Sequence, residues 1–258
     1  MIRRRAVKQA SYAGGCVVFL ALGVTGIWLL VSSPRQAVVV TPTPSVSYQA
    51  IVIEQVASVR HEGVVDVAVR LRNNNAHVGV AALPLAVVVE DANGQELSRQ
   101  DTTTYVMPGS LQYVALVNLP VSAGEYQVRA LLPAVTNFQE LPNGIRAPLL
   151  TAFRRGPLET KIAGGGSFQQ QKGIASNGNN SYGMQRVEVV ALALDAQKNV
   201  IGIGKTFVGE LKVGEQREFT VGWPAPALAV ADIILSPSAN VFEADNIIEV
   251  VGDPNTLR

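Results

Sequence analysis

Beyond residue 33, apolar positions recur every second residue or in short runs, and Gly, Asn, Asp and Pro punctuate them. That is the pattern of strands with one or both faces buried, and no stretch there carries the three-and-four spacing of an amphipathic helix. Ile51 to Val59 and Val64 to Leu71 read as two strands. Val87-Val88-Val89 runs into Asp91-Ala92-Asn93-Gly94, a hairpin signal because Asn and Gly tolerate positive φ. The polar strand after it, Glu96 to Tyr105, belongs at an edge or on a solvated face.

The chain repeats itself at an offset of about 104 residues. Leu71 to Asn75 resembles Ile174 to Gly178, and Val87 to Gly94 resembles Val190 to Asn199. Pro108-Gly109 matches Val213-Gly214, Pro120 matches Pro224, and Val135 to Glu140 matches Ala239 to Glu243. Each copy reads as about seven strands, the content of a Greek-key sandwich of roughly 100 residues. The expected divisions are a first β-sandwich over 47–150, a second over 151–252 and a tail over 253–258.

The amino-terminal pattern is different. Ala13 to Ser32 carries no charge and includes Cys16, Phe19, Leu20, Trp28, Leu29 and Leu30, and as a helix it would be roughly 30 Å long, enough to cross a bilayer. Arg3, Arg4, Arg5 and Lys8 precede it, so the positive-inside bias keeps residues 1–12 in the cytoplasm and sends the rest outside. The apolar stretch is longer than that of a cleaved signal peptide, and Val31-Ser32-Ser33 is a poor cleavage site. Cys16 lacks the preceding apolar residues of a lipidation site. Pro34 and Thr41-Pro42-Thr43-Pro44 make residues 33–46 an extended stalk.

Composition narrows the partners. Net charge is +1, and beyond the span 17 basic face 20 acidic side chains, which argues against nucleic acid. Cys16 is the sole cysteine, so the outer part has neither a disulfide nor a cysteine-bound metal.

Val189 to Asp195, Asn199 to Val208, Leu211-Lys212-Val213-Gly214-Glu215 and Phe219 resemble the FxLYD-type extracellular domains, with Leu192-Ala193-Leu194-Asp195 where that family shows Leu-Tyr-Asp. The resemblance implies two tandem immunoglobulin-like β-sandwiches, an all-β ectodomain after one transmembrane helix, on a prokaryotic surface protein. It implies no catalytic residue.

Candidate chemistry is sparse. His61 and His77 fall in expected loops without metal-ligand spacing, and no Ser-His-Asp arrangement is legible. Glu90-Asp91 and Glu243/Asp245 sit where strands meet turns. Gly164-Gly165-Gly166-Ser167 lacks the Lys and helix of a phosphate loop. Phe153-Arg154-Arg155-Gly156-Pro157 reads as a solvated connection between the copies. The segment holding Asn177, Asn179, Asn180 and Tyr182 reads as an exposed loop and the first candidate contact surface.

No cofactor is expected. The leading expectation is a non-catalytic protein of the cell envelope, single-pass in the cytoplasmic membrane, that presents two sandwiches for binding or scaffolding to a protein or polymer. The alternative is an accessory subunit of a secretion or pilus-assembly machine, with Gly14, Gly15, Gly23 and Gly26 letting the membrane helix pack closely. An enzyme with a site between the sandwiches ranks third.

Overall fold

The computed structural model describes residues 48–121, 124–164 and 166–249. The basic segment 1–12, the span 13–32, the stalk 33–46 and the tail 253–258 lie outside the described residues. No helix among those described is long and apolar enough to cross a membrane.

Apart from one 3-10 turn, Ala244–Asn246, the described elements are strands. β1 (Val52–His61), β2 (Val64–Arg72) and β5 (Leu111–Pro120) form a sheet in the order β1-β2-β5. It faces a second sheet of β3 (Val78–Asp91), β4 (Glu96–Val106) and β6 (Tyr126–Leu131), with β3 central and β7 (Gln139–Glu140) paired to its start. The next seven strands repeat this plan. β8 (Leu150–Ala163), β9 (Gly166–Asn177) and β12 (Gln216–Pro224) make one sheet, with β9 central. β10 (Tyr182–Leu194), β11 (Val200–Leu211) and β13 (Asp232–Ser238) make the other, with β10 central and β14 (Ile247–Glu249) on its start. Every pairing is antiparallel, and β4 lies at a sheet edge as its polarity requires.

Strand partners fix the register of the repeat. Asn73 corresponds to Asn177 and Asp91 to Asp195, so Leu71 falls opposite Ala175 and Val87 opposite Ala191, each one residue from the match read in sequence. Aliphatic runs slide past one another in sequence without penalty, whereas a buried Asn and a turn Asp have fixed bonding partners. The matches at Gly109/Gly214 and Pro120/Pro224 hold, since the equivalent pairs are Val64↔Pro120 and Phe168↔Pro224. After Phe138 and Phe242 the copies diverge: β7 follows at once in the first, while the 3-10 turn intervenes in the second.

Each copy buries its own core. In the first, Val65, Val67, Val69 and Leu71 of β2 meet Leu83, Leu85, Val87 and Val89 of β3, all within 1% of full burial. Alternation puts these residues on one face, and each such side chain contributes about 1.5–3 kcal/mol of burial. The second core fills the same volume with unequal partners. Where the first has the cross-strand pair Val69↔Val114, the second has Gly173↔Phe219, and a Cβ on Gly173 would lie 2.4 Å from the Phe219 ring. Gly202 likewise lies under Trp223, 2.4 Å from a would-be Cβ.

The copies also pack against each other. β10 is apolar on both faces: Val187, Val189, Ala191 and Ala193 enter its own core, while Val190, Leu192 and Leu194 join Ile203 against Ala68 and Ala115 of the first copy. Small residues on β2 and β5 let the sheets approach, and Lys205 Nζ donates to the Ala115 carbonyl at 2.9 Å across the junction. A second contact seats Met107 in the second core and puts Phe242 against Gly79, where a Cβ would come within 2.8 Å of the ring.

The segment Phe153 to Pro157 is a strand, not the connection expected. It lies in β8, where a bulge between Arg155 and Glu159 carries Gly156 and Pro157. An edge strand tolerates a proline that has no N–H to give, and Gln171 Nε2 donates to the freed carbonyls of Arg155 and Gly156, each at 3.3 Å. Arg155 pairs with Glu218, and Arg154 lies 3.9 Å from Asp232.

Candidate functional site

The asparagine segment is built inward. Asn177 and Tyr182 are buried at 1% and 2% exposure, Asn179 is buried as well, and Gly178, Asn180 and Ser181 face solvent. Asn177 Nδ2 donates to the carbonyls of Tyr182 (3.1 Å), Leu211 (3.3 Å) and Lys212 (3.1 Å), and its Oδ1 accepts the Asn179 backbone and side-chain N–H groups. The Tyr182 hydroxyl donates to the Arg146 carbonyl at 2.6 Å. Asn73 does the same in the first copy, donating to Val78 and Met107 and accepting from Asn75. The exposed contact loop expected there is thus corrected. A planar amide that donates to two or three carbonyls and accepts twice ties separate chain segments together, so three of the four named side chains are structural clamps.

Other sequence candidates are spread apart. His77 is exposed in a bend. Glu90 pairs with Arg129, and Asp91 closes its hairpin by accepting from the Asn93 and Gln95 amides at 2.9 and 2.8 Å. Asp195 repeats that turn with Gln197 and Asn199. Glu243 accepts from Asn240 Nδ2 at 2.8 Å, while Asp245 sits in the 3-10 turn. Gly164 turns β8 into β9. No group of three His, Cys, Asp or Glu among the described residues is placed to hold a metal ion.

Duplication supplies an internal control, because whatever one copy lacks the fold does not require. Two departures stand out. The first is a bulge in β5, where Asn118 takes φ 62° and its N–H bonds Asp66 Oδ1 at 2.7 Å. Asp66 is 2% exposed, and its other oxygen lies 2.8 Å from His61 Nε2. His61 ends β1 and is oriented by this carboxylate, rather than standing alone in a loop as expected. The second copy has Gln170 in place of Asp66 and an unbroken ladder there. His61 and Asn118 line a cleft of about 570 Å³ with Ser167, but no hydrogen bond among the described residues joins the Ser167 hydroxyl to His61.

The second departure is the 3-10 turn after Phe242. Asn246 Oδ1 accepts the Arg186 N–H at 2.8 Å and its Nδ2 donates to the Asn240 carbonyl at 2.9 Å, which fixes this insertion beside β10. The wall so formed flanks an open cavity of about 290 Å³, and a smaller one of about 160 Å³ shares part of its lining. Both are lined by Thr103 and Tyr105 of the first copy and by Glu188 and Ser238 of the second. The Tyr105 hydroxyl is sealed from solvent, with the Ser238 side chain beside it. Burial pushes this phenol well above the usual tyrosine range, and nearby Ser238 only partly offsets the shift. Burial also raises the Glu188 carboxyl, against the pull of Lys205 and Arg186. Arg186 lays its guanidinium over Phe207, 3.6 Å from the ring centre, at the cavity's lip.

None of Tyr105, Arg186 or Glu188 was singled out by motif. A signal was present nonetheless: Glu188 is the one acid within the apolar run from Val187 to Leu194, a strand whose length of unbroken aliphatics already implies two covered faces.

No family model matches the chain, and no curated protein is similar to it. Among solved structures, it is similar to the crystal structure of red sea bream transglutaminase at 12% identity and a TM-score of 0.24, over 77% of this chain. The chain spans about a third of that protein, 31% of its length. A likeness that low carries no argument, and the fold rests on the strand pairing described above.

Proposed function

We propose that this chain is a non-catalytic binding protein of the cell envelope, held in the cytoplasmic membrane by residues 13–32, with two immunoglobulin-like sandwiches on the outer side. The anchor is supported by an uncharged segment of bilayer length with four cations ahead of it. Binding is supported chiefly by one observation: Thr103 of one copy and Arg186, Glu188 and Ser238 of the other converge on one cavity that only the junction of the copies creates. Polar groups that converge on one hollow are what orients a ligand there. The junction, rather than either sandwich alone, is then the recognition element. A photo-crosslinking amino acid in place of Phe207, at the lip, tests this in whole cells. The expected result is a recurring adduct with one protein or polymer; adducts no more frequent than from Lys161, on the outer sheet of the second copy, would remove the proposal. Protease added to intact cells should digest the sandwiches, and full protection would remove the topology.

A further inference from the structure

Resting on that binding reading, we propose that the cavity between Tyr105 and Glu188 recognises an uncharged polyhydroxylated ligand, a single sugar ring or the terminal ring of a surface polymer.

Charge is the first argument. The cavity and its neighbour bring together two cations, Arg186 and Lys205, and two carboxyls, Glu188 and Glu243. An anion entering between them meets the carboxyls and a cation meets the bases, so neither sign gains net attraction. The charges are also partly committed. Lys205 donates to the Ala115 carbonyl, Arg186 stacks on Phe207 and Glu243 accepts from Asn240.

The second argument is the kind of bonding on offer. The hydroxyls of Thr103 and Ser238 each donate and accept, the carboxyls accept and the guanidinium donates. Adjacent hydroxyls on a sugar ring need that alternation, since every hydroxyl donates once and accepts up to twice. The Arg186–Phe207 stack adds a flat surface at the lip, suited to the C–H face of a ring. At about 290 Å³ the space equals that of about ten waters, enough for one ring and too little for an extended oligomer.

The third argument is the internal control. At the positions of Arg186, Glu188 and Phe207 the first copy has Ala82, Pro84 and Thr103, and at that of Tyr105 the second copy has Gly209. The fold is built twice and these groups once, and the insertion that walls them in occurs only in the second copy.

Saturation-transfer NMR on the full chain, in an ethylene-oxide detergent that carries no sugar, tests the proposal. The probes are D-glucose, D-galactose, D-mannose and N-acetyl-D-glucosamine, with glycine, acetate and ethylammonium as charged comparisons. At least one sugar should show saturation, and the signal should fall at least fivefold in both Ser238→Ala and Glu188→Gln. Thr103→Arg, which fills the cavity from an exposed position, should abolish it without relying on a buried substitution. Saturation of none of the four sugars overturns the proposal, as does saturation of glycine alone or a sugar signal unchanged in all three variants. If the sugar signal is absent while Phe207 still crosslinks a recurring partner, the binding reading stands and only the ligand class falls.

Discussion

At the scale of single residues, the described part of the molecule is fixed by a few buried polar side chains with several bonds each. Removing one leaves backbone carbonyls without donors, at about 1–3 kcal/mol apiece. Asn73→Ala and Asn177→Ala should therefore each lower unfolding free energy by about 3 kcal/mol in urea titrations. Asn180→Ala, an exposed neighbour, should stay within about 0.5 kcal/mol. Equal small effects at all three sites would show that the clamps are not formed. Glu188 works in the opposite sense. Its folded-state pKa lies above the unfolded one, so its contribution is complete below the unfolded value and is lost as pH rises through the folded value. Glu188→Gln should thus stabilise the protein near pH 7, with the advantage shrinking toward pH 4, as urea midpoints at the two pH values would reveal. Stability of Glu188→Gln unchanged or lower at pH 7 would contradict that.

At the scale of elements, strand content, the edge position of β4 and the hairpin at Asp91 were legible in the sequence because period-two alternation and turn chemistry are local. The repeat was legible too, though off by one residue at Leu71 and Val87, since aliphatics specify a face and not a partner. The burial of Asn177 was hidden because a side chain that bonds three distant carbonyls has the same composition as one in a loop. The strand nature of Phe153 to Pro157 was hidden because a Gly-Pro bulge on an edge strand mimics a linker. Unequal partners in the second core give an element-level prediction. Gly173→Val alone should cost about 3 kcal/mol or more through overpacking against Phe219. The double variant Gly173→Val/Phe219→Val, which copies the Val69↔Val114 pair of the first sandwich, should recover to within about 1.5 kcal/mol of the parent. Additive losses in that double-mutant cycle would mean that the two positions do not share one volume.

At the scale of the described molecule, the ligand-sized space exists only because two copies of one fold are stacked. Tyr105 and Thr103 come from one sandwich and Glu188, Ser238 and Arg186 from the other, so any rearrangement of the junction disperses them. The apolar contact that holds them is small and made of short side chains, Ala68 and Ala115 against Val190, Leu192 and Ile203. The junction itself was only half legible in sequence: the unbroken aliphatics of β10 imply two covered faces, but not what covers the second. Methyl-resolved NMR tests the stacking most directly. The structure requires nuclear Overhauser contacts from the methyls of Ala68 and Ala115 to those of Leu192 and Ile203 in the native chain. A complete set of contacts within each sandwich, with none across this pair of sheets, would contradict it and leave the cavity without one of its walls.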